Sequence, residues 1–316
     1  MSGRLGSNLL QAVALTFAAL PSCAFVESEL PLDRAFVTTA TIDGMPLSIL
    51  LDTGSTHCLL SQRFVTGSGL DLARTGAVVT VDSTGSERVS DVARAENLRI
   101  GDVLFDPFEL PVLALPAAFP ADGLLGMSAL GGFAWCFDVS SGELLILHPD
   151  RAAERLAARG LRVTATLPLG DDPHRPTVTV RVNDEVELPL LLDTGAARTT
   201  LPAEAIAALA LPSGDALSRR QAEQRAAELR RSLAAQGLAV DVQVTSGDGR
   251  AVGIHDTPIE TSYWHVRSLT LGALHASDLV VASTTRGGAL GLDVLSAHPW
   301  LLHGPRRQLW LLEHVR

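Results

Sequence analysis

Two carboxylates stand out by where the chain puts them. Asp52 ends the run Ser48-Ile49-Leu50-Leu51 and is followed by Thr53-Gly54-Ser55. Asp193 ends Leu188-Pro189-Leu190-Leu191-Leu192 and is followed by Thr194-Gly195-Ala196. A carboxylate after several apolar residues is costly to bury unless it is used. The chemistry open to it is proton transfer, and two such groups can divide the roles of acid and base. His57 lies close by, but paired carboxylates need no histidine, so it reads as a structural or surface residue. Other chemistries lack their motifs. There is no His-Glu-x-x-His, and His255, His265 and His275, ten apart, suit no common zinc site. No Gly-Lys-Ser/Thr phosphate loop, dinucleotide fingerprint or Gly-x-Ser-x-Gly elbow accompanies the two Asp-Thr-Gly stretches.

The elements that must position these residues repeat as well. Ala35 to Ile42, the turn pair Asp43-Gly44 and the strand into Asp52 form one predicted hairpin. Thr177 to Val182, the pair Asn183-Asp184 and the strand into Asp193 form another. Downstream, Leu124-Leu125-Gly126-Met127-Ser128-Ala129-Leu130 matches Ala289-Leu290-Gly291-Leu292-Asp293-Val294-Leu295. Each is followed by a closing apolar run, Glu143 to Leu147 and Gln308 to Leu312. The two aspartates are 141 residues apart, far beyond a solenoid period, so the duplication predicts two lobes.

On these motifs the chain resembles the aspartic proteases, with retropepsin-like features in both halves and over nearly everything after the leader. The resemblance implies an all-β, bilobal acid-protease fold of two pseudo-symmetric β-barrel-like lobes, with a helix inserted in the second. Asp52 and Asp193 fall on the family's catalytic pair, and Thr53, Gly54, Ser55, Thr194, Gly195 and Ala196 on its active-site loops. Leu125, Gly126, Leu290 and Gly291 fall on the signature that packs behind those loops. The glycines are expected to let backbone amides turn tightly toward the carboxylates. The threonine hydroxyls are expected to lock the two loops together, and Ser55 to give its carboxylate a bond that Ala196 cannot. The implied reaction is endopeptidase hydrolysis by a water activated between Asp52 and Asp193. The rival is a non-catalytic peptide-binding protein on the same fold.

The resemblance also places flaps, at Ser83, Thr84, Gly85 and Ser86 and at Gly247, Asp248 and Gly249. Pepsin-like members carry a tyrosine in the first flap. Here the single tyrosine, Tyr263, lies in the second half, so the chain is closer to a fused pair of retropepsin-like halves. The fold it implies brings the segments bearing Cys58 and Cys136 toward one another. A disulfide between them and two buried free thiols are both open.

The organisation follows. Arg4 and the apolar run Leu9 to Leu20 form a leader too short to span a bilayer comfortably. Leu20-Pro21-Ser22-Cys23 reads as a lipoprotein box with Cys23 acylated, although Pro21 sits awkwardly in it. Ordinary cleavage after Ala24 is the alternative, so the leader region is placed at 1–24, with cleavage before Cys23 or after Ala24. Export to the periplasm or cell envelope as a lipoprotein is expected, with soluble secretion as the alternative. Lobes are expected at 25–148 and 161–316, joined by a linker helix in 149–160 that Asp150 caps and Gly160 stops. The helical insertion is placed at about 202–237, where Ser218 and Gln221 make a capping box. With 47% hydrophobic residues the chain can fill such cores, and a net charge of −10 argues against nucleic acid. No cofactor or metal is expected, the partner is a peptide or protein substrate, and no homo-oligomer is required because both carboxylates lie in one chain.

Overall fold

Turn chemistry sets the two hairpins. Asp43 and Gly44 take φ of 50° and 80°, and Asn183 and Asp184 take 53° and 61°. The two-residue turn Asp43-Gly44 needs such a left-handed pair to follow strand twist, and the second hairpin reverses over three residues, Asn183 to Glu185. Strands Val37–Ile42 and Met45–Leu51 therefore pair from Val37↔Leu50 to Ile42↔Met45. Thr177–Val182 and Val186–Leu192 pair from Thr177↔Leu191 to Val182↔Val186. Val178, Val180 and Val182 all point inward, as strand alternation requires. The structure, a computed structural model, describes residues 27–33, 35–82, 86–209, 249–252, 258–285 and 287–315. The leader with Cys23, the flap residues Ser83, Thr84, Gly85, Gly247 and Asp248, and the helical run from Ser218 to Gly237 lie outside the described residues.

The chain is mostly β, with two sheet-rich regions, but the expected pair of matching barrel-like lobes is corrected. The first region is an open nine-stranded sheet running from Arg74–Val81 at one end to Val103–Leu104 at the other. In the second region, Tyr263–Leu271 pairs with Leu274–Thr284 on one side and Thr177–Val182 on the other, so its six strands form a ring. The first region cuts that course in two. Glu87–Ala95 pairs with Phe108–Leu113, while Leu98–Ile100 pairs with Val37–Ile42. Asp106-Pro107 separates Val103–Leu104 from Phe108–Leu113, and a proline has no N–H to give a ladder.

The closing runs do not complete separate lobes either. They join a third sheet in the order Ser28–Pro31, Glu143–Leu147, Ala134–Asp138, Trp300–His303, Gln308–His314, Leu161–Pro168. Its seam, Ala134↔His303 to Phe137↔Trp300, links residues far apart in sequence. On one face Phe137 and Trp300 stack with ring centroids 4.4 Å apart, and Phe36 lies 5.1 Å from Phe137. The opposite face buries Cys136, Leu145 and Leu301 against Leu156 of the helix Ala152–Ala158. Cys58 belongs to the larger cluster and both cysteines are free, so no disulfide joins them.

Two helical expectations change. The linker opens with a 3₁₀ turn, Pro149–Arg151, in which His148 caps by accepting from the Asp150 amide. Asp150 therefore sits inside the turn, while Gly160 stops the helix region at φ 71°. Helix Ala203–Ala208, placed within the insertion, has a counterpart in the first half, Gln62–Ser68. It is part of the repeat, and the sequence between 61 and 75 is too polar to announce it.

Candidate active site

Asp52 and Asp193 each end a strand and enter a turn that the strand's neighbour holds from behind. Gly123–Leu125 runs parallel to Met45–Leu51, with Leu125 beside Leu51. Ala289–Leu290 runs parallel to Val186–Leu192, with Leu290 beside Leu192. The Asp52 amide donates to the Leu125 carbonyl at 2.9 Å, and the Asp193 amide to the Leu290 carbonyl at 3.1 Å. The next residue in each case must be glycine. A Cβ on Gly126 would lie 2.5 Å from the His57 carbonyl oxygen, and one on Gly291 would lie 2.5 Å from the Arg198 carbonyl carbon. Short helices follow, Met127–Leu130 and Leu292–Leu295. Trp135 and Trp300 each donate an indole N–H at 2.9 Å to the last carbonyl of these helices, Leu130 and Leu295.

The two loops interlock through their threonines. Thr53 Oγ1 donates to the Leu192 carbonyl at 2.7 Å, and Thr194 Oγ1 donates to the Leu51 carbonyl at 2.5 Å. In return the Thr53 amide donates to Thr194 Oγ1 at 2.9 Å, and the Thr194 amide to Thr53 Oγ1 at 3.1 Å. Both threonines are fully buried. This reciprocal clasp brings the aspartates together, each carboxyl group lying against the glycine of the other loop. Each carboxylate is also cradled by its own turn. Asp52 Oδ1 accepts from the amides of Gly54 and Ser55 at 2.9 and 3.1 Å. Asp193 Oδ1 accepts from those of Gly195 and Ala196 at 3.0 and 3.1 Å.

Two readings of the loops change. The Ser55 hydroxyl goes to the His57 carbonyl at 2.9 Å and leaves the carboxylate to the backbone amide. Ala196 supplies the same amide, so the two cradles are alike. Gly54 and Gly195 are not in the left-handed region, so their role is space. A Cβ on Gly195 would lie 2.6 Å from Asp52 Cγ, and one on Gly54 would fall within the Asp193 carboxyl group.

Electrostatics follow from burial and proximity. Asp52 is raised far above the ordinary carboxylate range, first by burial and then by the Asp193 charge. Asp193 is raised by burial, while the amides of its turn oppose the shift. The two groups titrate as one unit. His57 is lowered by partial burial and by the nearby His174, so it favours the neutral form.

The contact between Thr199 and Asp293 went unread in the sequence. Asp293 Oδ1 accepts from the Thr199 amide at 2.8 Å and from the Thr199 hydroxyl at 2.7 Å. Burial raises Asp293 to about 6, against the Thr199 donors and Arg198. Because this value lies above the ordinary one of 3.8, the group favours the fold below that value and loses the contribution as pH rises through about 6. The signal was available: Leu130 and Leu295, and Trp135 and Trp300, share the 165-residue offset that sets Asp293 opposite Ser128.

Of the flap candidates, Ser86 and Gly249 fall within the described residues. Ser86 closes the first hairpin, its amide donating to Asp82 Oδ1 at 3.0 Å. Gly249 lies in strand Gly249–Val252, antiparallel to Pro258–Thr261, and not at a hairpin tip. Among the described residues no group of three or more His, Cys, Asp or Glu could hold a metal ion.

The family described as Aspartyl protease matches residues 38–129. The chain carries an aspartic-protease domain over that segment. It contains Asp52-Thr53-Gly54 and the Leu125-Gly126 segment behind it, and the assignment supports hydrolase activity in general terms. Asp193 and its loop lie beyond the matched residues. No curated protein matches the chain.

Proposed function

We propose that the protein is an aspartic endopeptidase whose two halves, about 25–148 and 161–316, each supply one catalytic carboxylate. The observation that carries this reading is the Thr53–Thr194 clasp, which joins the aspartic-protease domain to a second Asp-Thr-Gly loop built in the same way. The pair holds one proton because two carboxylates so close do not both ionise readily, a behaviour general to aspartic-protease pairs. General acid–base catalysis then divides the labour. The charged member takes a proton from a water, and the water attacks the scissile carbonyl carbon. The protonated member gives its proton to the carbonyl oxygen, forming a tetrahedral gem-diol. A proton then passes to the amide nitrogen, the C–N bond breaks, and the pair again holds one proton. Neither a covalent intermediate nor a second copy of the chain is required.

The substrate is an extended peptide, and residues near the loops favour apolar side chains on both sides of the cleaved bond. Cleavage profiling of a diverse peptide library by the purified chain, from acid to neutral pH, tests this. Cleavage is expected between apolar residues and to be blocked by a statine-type mimic of the gem-diol. A constant requirement for a charged residue at the cleaved bond would overturn the preference. No cleavage at any pH by a folded sample would favour a peptide-binding role.

Export with lipid on Cys23 belongs to the same proposal. Among the described residues no helix is long and apolar enough to cross a membrane, and attachment by acylation needs none. Intact mass should show a chain that starts at Cys23 with acyl mass added. A chain starting at Phe25 without added mass would refute lipidation and keep export.

A further inference from the structure

The two halves anchor their active-site loops differently, and the difference falls on one contacting pair of residues in each. Position 58 in the first half corresponds to 199 in the second, and 128 corresponds to 293. In the first half the contact is Cys58 Sγ to Ser128 Oγ at 3.3 Å. Sulfur is a weak donor and a weak acceptor, so this tie is soft. In the second half Thr199, fully buried, donates both its amide and its hydroxyl to Asp293 Oδ1, at 2.8 and 2.7 Å. The same hydroxyl accepts from the Gly291 amide at 3.1 Å. Next to it, the Leu292 amide donates to the Ala196 carbonyl at 2.9 Å. The chain of contacts thus runs from Asp293 through Thr199 to the segment behind Asp193.

We propose that Asp293 is a positioning residue for Asp193, acting through Thr199 to fix the second active-site loop. This rests on the peptidase reading above. Asp293 does not touch the reacting atoms. Its effect is on where the Asp193 carboxyl stands relative to Asp52, and a displacement of about 1 Å in such a pair can cost roughly a hundredfold in rate. The first half has no equivalent carboxyl anchor, so the corresponding change there should matter less.

The test compares wild type with Asp293→Ala, Asp293→Asn, Thr199→Val and Ser128→Ala, using a peptide cleaved by the wild type. Asp293→Ala should lower kcat by about tenfold to a hundredfold with KM within about threefold. Asn, whose side-chain oxygen can accept both Thr199 donors, should restore kcat to within about fivefold of wild type. Ser128→Ala should stay within about threefold of wild type. Should Asp293→Ala fail to fold, Thr199→Val, which keeps the amide bond, should still lower kcat by about fivefold or more. The proposal is overturned if Asp293→Ala keeps kcat within about twofold, or if Asn is as impaired as Ala. Amide exchange supplies a readout independent of turnover. It should accelerate over 193–199 and not over 52–58 in Asp293→Ala, and equal acceleration in both loops would overturn positioning. Failure of the peptidase reading is seen separately, as wild-type cleavage no greater than that of Asp52→Asn with the exchange contrast intact.

Discussion

Replacing either Asp52 or Asp193 with Asn should lower kcat/KM by about 10³-fold or more, because the remaining carboxyl group cannot serve as both acid and base. The fold should survive. An Asn side-chain oxygen can still accept from the turn amides that now reach Oδ1, Gly54 and Ser55 in one loop and Gly195 and Ala196 in the other. The threonine clasp uses no carboxylate atom and should persist. Stability should change with a definite sign. Both carboxyls are raised in the folded state, so their contribution is present below the ordinary aspartate value of 3.8 and is lost as pH rises through the pair's elevated titration. Either Asn variant removes one like charge. Its unfolding midpoint should therefore fall less than that of wild type between acid and neutral pH. Urea denaturation across pH, beside peptide cleavage, measures both effects. Substantial turnover by a pure single variant would sink the two-carboxylate mechanism.

Local chemistry was legible in the sequence, and long-range pairing was not. The turns at Asp43-Gly44 and Asn183-Asp184 could be read because positive φ is a property of the residues that adopt it. The two aspartates could be read because the same burial problem occurs twice. The shared sheet could not be read, since the Phe137↔Trp300 pairing depends on partners far apart in sequence and each strand alone looks like the end of its own lobe. Nor could the open edge of the first sheet, which turns on the interruption before Phe108 and not on any loss of apolar pattern. Within the site, the repeat pointed to the right loops but not to which atoms meet. By its position Ser55 looks like a ligand of Asp52, yet its hydroxyl lies on the His57 carbonyl. Thr199 and Asp293 look ordinary apart, because their hydrogen bonds cross 94 residues of sequence.

The same distinction decides what the active-site glycines are for. Tight turns invite a conformational explanation, in which a side chain would strain the backbone. Here neither Gly54 nor Gly195 occupies the left-handed region, so alanine could keep either backbone. What alanine cannot keep is the opposite carboxyl group in place. Its Cβ at position 195 would stand 2.6 Å from Asp52 Cγ, and at position 54 it would enter the Asp193 carboxyl group. Each glycine thus makes room for the other half's aspartate. Gly54→Ala and Gly195→Ala should each lower kcat/KM by roughly a hundredfold or more, since the two carboxyls must move apart. The overpacking should cost about 1–3 kcal/mol, which urea denaturation can read. A purely conformational role predicts a different pattern: stability would fall while the coupling between the carboxyls stayed as it is. The space-making role predicts that the elevated titration of the pair moves back toward the ordinary range, because distance weakens their mutual repulsion. Carboxyl titration followed by NMR in the alanine variants separates the two. Alanine at either position with activity within about tenfold of wild type, and the elevated titration unchanged, would overturn the assignment of these glycines to the opposing carboxylate.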